Sequence, residues 1–159
     1  MKILVVSDTH GQNDNLLEVL EREKPFDIFV HCGDSGDLSD YIEQFVSGQV
    51  VMVRGNCDYD SFLRSEEYLE VCGHRIFITH GHNYDVTSGI NLLANAAKDR
   101  GADVVLYGHT HIPEVNQLYG VSILNPGSLA RPRQEGKRCT YGIITIRPDH
   151  SIYLETRFF

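Results

Sequence analysis

No stretch of this chain approaches the roughly 18 consecutive apolar residues that a membrane-spanning helix requires. The apolar run behind Met1 is too short for a secretory leader. Cysteine is sparse: Cys32, Cys57, Cys72 and Cys139 show no CxxC spacing, so free thiols in a reducing cytoplasm are the expectation. Basic residues are few as well. Fourteen Lys and Arg stand against 22 Asp and Glu, for a net charge of −8, and the only basic cluster is a short one at Arg131, Arg133, Lys137 and Arg138. A protein that tracks nucleic acid needs many clustered cations to replace counterions along the phosphates, so extended nucleic acid is excluded as a partner, as is a membrane. There is no GxGxxG after the first strand, no P-loop, no HExxH helix and no GxSxG elbow, which removes dinucleotide, NTP, zincin and serine-hydrolase chemistries. Internal repeats, low-complexity tracts and linkers are absent too.

What remains is 159 residues of ordinary globular composition, expected to form one domain over residues 1–159. A domain near this size buries about 68–70% of its unfolded surface and needs no disulfide or structural metal to fold. The first third alternates strand and helix. Lys2–Ser7 reads as a buried strand, and Asn13 is placed to cap a helix with Leu16, Leu17 and Leu20 inward. Asp27–His31 is a second strand. Asp37 then opens a helix with Leu38, Tyr41, Ile42, Phe45 and Val46 on one face, followed by a strand at Gln49–Val53. This order implies a parallel sheet with right-handed crossovers. Further on, Tyr68–Cys72 and Arg75–Thr79 flank a Gly73-His74 turn as a hairpin, and a helix runs from Ser88 to Arg100 with Gly101 as its stop. Asp103–Tyr107, Glu114–Leu118, Val121–Leu124, Thr140–Ile146 and Ile152–Phe158 read as strands of a second, mostly antiparallel sheet packed on the first. The fold class is α/β.

A metal-ligand residue type follows each of five strands: Asp8 and His10, then Asp34, Asn56, His80, and finally His109 and His111. In open α/β sheets ligands bind beyond the carboxyl ends of strands, so these seven would converge. Two carboxylates, an amide oxygen and four imidazoles suit Mn, Fe, Zn, Ni or Co better than Mg or Ca. They are also too many for one ion that must keep water and substrate, so a pair of ions sharing Asp34 uses them economically. Gly33, Gly55 and Gly108 precede ligands, where they are expected to turn the backbone sharply and leave room for a phosphate. Singly, Asp8 or Asp34 reads as a helix cap or Asx-turn, and each His as a surface or packing residue. Together, at successive strand ends, they read as a site.

The series Asp-x-His, Gly-Asp, Gly-Asn-x-Asp, His-Gly-His and Gly-His-Thr-His, running from Asp8 to His111, resembles the calcineurin-like metallophosphoesterases, and in particular their small single-domain prokaryotic phosphodiesterase branch. The resemblance implies a four-layer α/β/β/α sandwich of two packed mixed sheets. It puts Asp8, His10, Asp34 and His111 on one ion and Asp34, Asn56, His80 and His109 on the other, with Mn the foremost metal and Ni, Zn, Fe or Co as alternatives. It further implies hydrolysis of a small phosphodiester by in-line attack of a metal-bridging hydroxide. A phosphomonoesterase and a non-catalytic protein-interaction module on the same fold are the alternatives. Relatives are often dimers or tetramers, so a homo-oligomer is an expectation.

Many family members carry His after the Asn; here the residue is Cys57. A thiol with an ordinary pKa near about 8.5 donates protons and binds phosphate less well than imidazole, which points to substrates with acidic leaving groups. Substrate contacts are expected from Cys57, Asp58, His82 and Arg54, with Asp58 also suited to orienting its neighbours. His31 and Cys32 read as packing residues, Asn125-Pro126-Gly127-Ser128 as a turn with Ser128 near substrate, and His74 and His150 as exposed turn residues.

Overall fold

The computed structural model describes residues 1–59 and 62–159. In chain order its elements are β1 (Lys2–Val6), α1 (Asp14–Glu23), β2 (Ile28–His31), β3 (Gln49–Met52), β4 (Glu66–Val71), β5 (His74–Thr79), α2 (Asn91–Asp99), β6 (Val104–Leu106), β7 (Pro113–Leu118), β8 (Val121–Pro126), β9 (Thr140–Ile146) and β10 (Ile152–Phe158). Short 3-10 turns lie at Leu38–Asp40, Ile42–Gln44 and His82–Tyr84. No helix among the described residues is long and apolar enough to cross a membrane.

Two five-stranded sheets result, ordered β10-β9-β1-β2-β3 and β4-β5-β6-β8-β7. In the first, β1, β2 and β3 run parallel, with Val5 opposite Val30 and Val30 opposite Val51. The period-two alternation of a strand divides β1 between two cores. Ile3 and Val5 join Ile28, Val30, Ile76, Ile78 and Val104 between the sheets. Leu4 and Val6 pack outward with Phe29 against Leu16, Val19 and Leu20 of α1. On the far side, Leu93, Ala94 and Ala97 of α2 cover Phe77, Val105 and Ile123 of the second sheet. The layers are therefore helix, sheet, sheet, helix, as the sequence implied.

Four readings need correction. β9 and β10 belong to the first sheet, where β9 pairs antiparallel with β1. Its nearly all-buried pattern suits an interior position, and local sequence does not encode which sheet it joins. The second sheet is evenly mixed: β5–β6 and β6–β8 are parallel, β4–β5 and β7–β8 antiparallel. The helix expected after Asp37 is instead two 3-10 turns, interrupted by Tyr41 at φ −141°, and Asp37 makes no side-chain cap. Leu38, Ile42 and Val46 are buried all the same, so the periodicity marked the inward face but not the helix type. Finally, Asn125 and Pro126 end β8 rather than form a turn.

Candidate functional site

The carboxyl ends of β1, β2, β3, β5 and β6 open onto one edge, and the seven expected ligand residues sit in the segments that follow. Their backbone is unusual. Asp8, His10, Asp34, His109 and His111 all have positive φ, between 48° and 69°, a region that L-residues other than Gly, Asn and Asp seldom enter. Crossed backbone hydrogen bonds hold these loops together: Asp8 N–H to Gly33 O at 3.0 Å, His10 N–H to Asp34 O at 2.8 Å, and Gly108 N–H to His80 O at 3.1 Å.

Each aspartate has one oxygen tied to the protein and one aimed inward. Asp8 Oδ2 accepts from the Ser7 hydroxyl at 2.6 Å and from His109 N–H at 3.1 Å. Asp8 Oδ1 is buried without a hydrogen-bond donor, though it lies 3.0 Å from His111 Nε2 and 3.9 Å from both His10 Nε2 and His80 Nε2. Asp34 Oδ1 accepts from Cys57 N–H at 2.8 Å, which leaves Oδ2 at 3.8 Å from His10 Nε2 and 3.5 Å from His80 Nε2. Asp34 thus faces both groups of histidines.

Carbonyl groups fix the imidazoles. His80 Nδ1 lies 2.7 Å from Cys32 O, and His111 Nδ1 lies 2.7 Å from Arg131 O. A carbonyl can only accept, so each Nδ1 carries a proton and the ring turns its Nε2 to the centre. That atom of His80 meets Asn56 Oδ1 at 3.1 Å, and that of His111 meets His10 Nε2 at 3.3 Å. The His109 ring packs edge-on to His80 with centroids 5.2 Å apart. Lone pairs and carboxylate oxygens facing one another at such distances repel unless a proton or a cation lies between them. Among the described residues, three side-chain groups have ligand atoms within 4.8 Å of one another: Asp8–His10–His111, Asp8–Asp34–His80 and His10–Asp34–Cys57. The donor set therefore fits divalent cations.

The charges respond accordingly. Burial raises the Asp8 and Asp34 pKa values, but His111 and His80 beside Asp8, and His80 beside Asp34, outweigh it and hold both below the usual carboxylate range. Burial pushes His10, His82 and His109 down. In His80 burial acts the same way, yet Asp34 and Asp8 overcome it and its pKa is raised.

Glycines serve this site by proximity rather than by leaving room for phosphate. A Cβ on Gly55 would overlap Asp34 Oδ1, and one on Gly108 would overlap the Ser7 hydroxyl. Only Gly33, at φ +98°, also needs glycine's conformational freedom.

Asp58 is buried beneath the site: Oδ2 accepts from Asp34 N–H and Gly55 N–H, both at 2.8 Å, and Oδ1 from Gly36 N–H at 3.0 Å. It holds the Asp34 and Gly55 loops together, and it also borders the cavity lined by Arg54, Asn56 and His82. Ser128, by contrast, is no substrate contact. It is fully buried, donates to Asp8 O at 2.8 Å and accepts from Ala130 N–H and Arg131 N–H. Sequence reasoning also missed Ser7 and Asn125, whose amide donates to Gly108 O and Thr110 Oγ1 at 3.0 Å; their adjacency to Asp8 and to the Pro-Gly-Ser run was the available signal. His31 is a positioning residue. Its Nδ1 accepts from Gly33 N–H, its Nε2 meets Thr9 Oγ1, and burial pushes its pKa down to about 4. Cys57 is exposed, with its thiol pushed up to about 11 by local burial and by Asp34. Arg54 and His82 border a cavity of about 300 Å³ next to Asn56. His74 is half-buried within β5, not an exposed turn residue.

This arrangement is one edge of a two-sheet sandwich with a donor set fit for cations, and comparison with known proteins gives its family. Residues 1–149 match the calcineurin-like phosphoesterase superfamily domain, and the chain belongs to that family. It is 32% identical over 152 residues to a probable metallophosphoesterase of Bacillus subtilis, covering 94% of this chain and 86% of that protein. It is 33% identical over 168 residues to the phosphodiesterase YfcE of Escherichia coli K12, covering 91% and 87%. A predicted phosphoesterase from Streptococcus pneumoniae TIGR4 superimposes with a TM-score of 0.81 at 28% identity, covering 99% of this chain and 97% of that one.

Proposed function

We propose that residues 1–159 act as one dinuclear, metal-dependent phosphodiesterase on a small phosphodiester. The observation that carries the reading is the pair of histidines whose Nδ1 protons are committed to carbonyls, so that their Nε2 atoms face the oxygens of Asp8, Asp34 and Asn56. Asp8, His10, Asp34 and His111 would hold one ion, and Asp34, Asn56, His80 and His109 the other, with Mn foremost. When bound, the two ions supply Lewis-acid activation of water and neutralise the phosphoryl oxygens. Asp58, Ser7 and Ser128 keep the ligand loops in register, so the geometry is set before substrate arrives. Arg54 and His82 border the cavity beside Asn56, where the substrate's oxygens would be met. Cys57, a thiol far from titrating at neutral pH, gives little help to a departing alkoxide.

The test is hydrolysis of bis-p-nitrophenyl phosphate by chelator-stripped protein before and after addition of Mn, with His109→Ala as control. Turnover should appear with Mn in the parent. In the variant it should fall further than the roughly 10–100-fold expected for an outer partner of a metal ligand. Unchanged activity in His109→Ala would remove that residue from the site, and a parent that binds no Mn, Ni, Co or Zn would overturn the reading.

A further inference from the structure

The ten arginines of the chain sort by partner. Arg22, Arg64, Arg75, Arg100 and Arg157 face carboxylates, while Arg138 and Arg147 lie over the rings of Phe158 and Tyr153. Among the described residues, Arg54, Arg131 and Arg133 have neither kind of partner, and all three border the candidate site. Arg54 already faces the cavity next to Asn56. Arg131 and Arg133 approach from the other side, on the segment that follows β8, and both side chains are exposed.

That segment is fastened directly to the ligands. Arg131 N–H donates to Ser128 Oγ at 2.8 Å, and Ser128 Oγ donates to Asp8 O at 2.8 Å. Arg131 O accepts from His111 Nδ1 at 2.7 Å, and Arg133 N–H donates to His111 O at 3.1 Å. Pro132 between them restricts the backbone further. The two guanidinium charges are felt at the site: Arg131 acts on His10 and Arg133 on His109. On a chain of net charge −8, two unpaired cations anchored next to the same histidine are a local exception to the overall field.

We propose that Arg131 and Arg133 form an anion subsite for a second charged group of the substrate, so that the enzyme acts on phosphodiesters carrying an additional phosphoryl or carboxylate group. This rests on the phosphodiesterase reading of the same site. The scissile group of a diester is a monoanion. Two divalent cations held by Asp8 and Asp34 keep enough positive charge, after the attacking hydroxide is counted, to match it even before Arg54 is included. Two further guanidiniums are therefore surplus to a plain diester, and they suit a second phosphoryl or carboxylate group by paired N–H donation.

The test uses thymidine 5′-(p-nitrophenyl phosphate) and its 3′-phosphorylated counterpart, which share the scissile bond and leaving group and differ by one phosphate. The Mn-equilibrated protein should favour the second by about tenfold in kcat/KM, carried mainly by KM. That ratio should fall to within about twofold in the double variant Arg131→Gln/Arg133→Gln and persist in Arg138→Gln, which removes the same kind of charge from further along the chain. A second readout needs no turnover: calorimetric binding of thymidine 5′-monophosphate and thymidine 3′,5′-bisphosphate to chelator-stripped protein. Tighter binding of the bisphosphate in the parent, lost in the double variant and kept in Arg138→Gln, supports the subsite. Equal or undetectable binding of the two nucleotides, or a preference that survives the double substitution, overturns it. If neither p-nitrophenyl ester is cleaved while the binding preference appears and vanishes as described, the subsite stands and the phosphodiesterase reading falls.

Discussion

Asp58 carries three backbone N–H groups from two ligand loops on one buried carboxylate, so its removal measures how much of the site's order one side chain supplies. Two of the donors, Asp34 N–H and Gly55 N–H, are fully buried on Oδ2, whereas Gly36 N–H on Oδ1 is partly open to water. Asp58→Ala leaves the two buried donors unsatisfied at about 1–3 kcal/mol each, and water can satisfy the third, so a loss of about 2–6 kcal/mol is expected. Asp58→Asn retains one acceptor oxygen. With that oxygen in the Oδ2 place, only the Gly36 contact turns into a donor facing a donor, and a loss of about 1–2 kcal/mol is expected. Urea unfolding of chelator-stripped protein measures both. With a slope of about 1–3 kcal/mol per M, the Ala variant's midpoint should fall by about 1 M or more at unchanged slope. Because Asp34 N–H is among the freed groups, metal affinity read by competition with a chelating dye should also drop by about 10–100-fold. An Ala variant within about 1 kcal/mol of the parent, or an Asn variant as damaged as Ala, would refute the reasoning.

His74 donates from both ring nitrogens, to Asp103 at 2.6 Å and to His150 O at 2.8 Å; burial lowers its pKa, but these partners outweigh it and raise it overall. Its contribution is therefore full below its unfolded pKa of about 6.5 and lost as pH rises through the raised folded value, so the urea-midpoint difference between parent and His74→Gln should shrink from pH 5.5 to pH 9, and a constant difference would exclude the linkage. Gly55→Ala should displace Asp34, because the added Cβ overlaps Asp34 Oδ1. A stability loss of about 1–3 kcal/mol with weakened metal binding is expected in unfolding and dye-competition assays, and normal binding would show that the loop yields easily. Across aryl and alkyl phosphodiesters the parent should slow steeply as the leaving group becomes more basic, and Cys57→His should flatten that dependence; equal parent rates on both classes would count against the leaving-group argument.

The parallel half of the fold was legible because the apolar runs ending at Val6 and His31 are each followed at once by a ligand residue. Two local signals, strand pattern and ligand type, thus agreed at the same positions. The placement of β9 and β10 was not, since a strand's partner is chosen by contacts more than a hundred residues away, as between Val5 and Gly142. Similarly, the spacing of Leu38, Ile42 and Val46 reports which side faces the core, while the hydrogen bonds on either side of Tyr41 are of the 3-10 kind. Ser128 was visible as a residue near the site but not in its role, because its bond to Asp8 O spans 120 positions. The glycines show the same limit. Sequence marked the tight places next to the ligands, and only the structure shows that carboxylate and hydroxyl groups fill them.

The left-handed backbone at Asp8, His10, Asp34, His109 and His111 links these observations. For the three histidines this costs about 1–2 kcal/mol each relative to ordinary conformations, so they persist because their surroundings hold them. The holding groups are identifiable: the crossed bonds between the Asp8 and Asp34 loops, the Asp58 carboxylate under Asp34 and Gly55, and the Ser128–Arg133 segment under Asp8 and His111. The same groups aim Asp8 Oδ1, Asp34 Oδ2 and the Nε2 atoms of His10, His80 and His111 at one another. A divalent cation among them would offset the repulsion between the two carboxylate oxygens. The segment that fastens His111 also carries Arg131 and Arg133, so one anchor sets both the candidate ligands and the proposed anion subsite. Under the proposed function, substrate charge and metal geometry would be positioned by the same few hydrogen bonds.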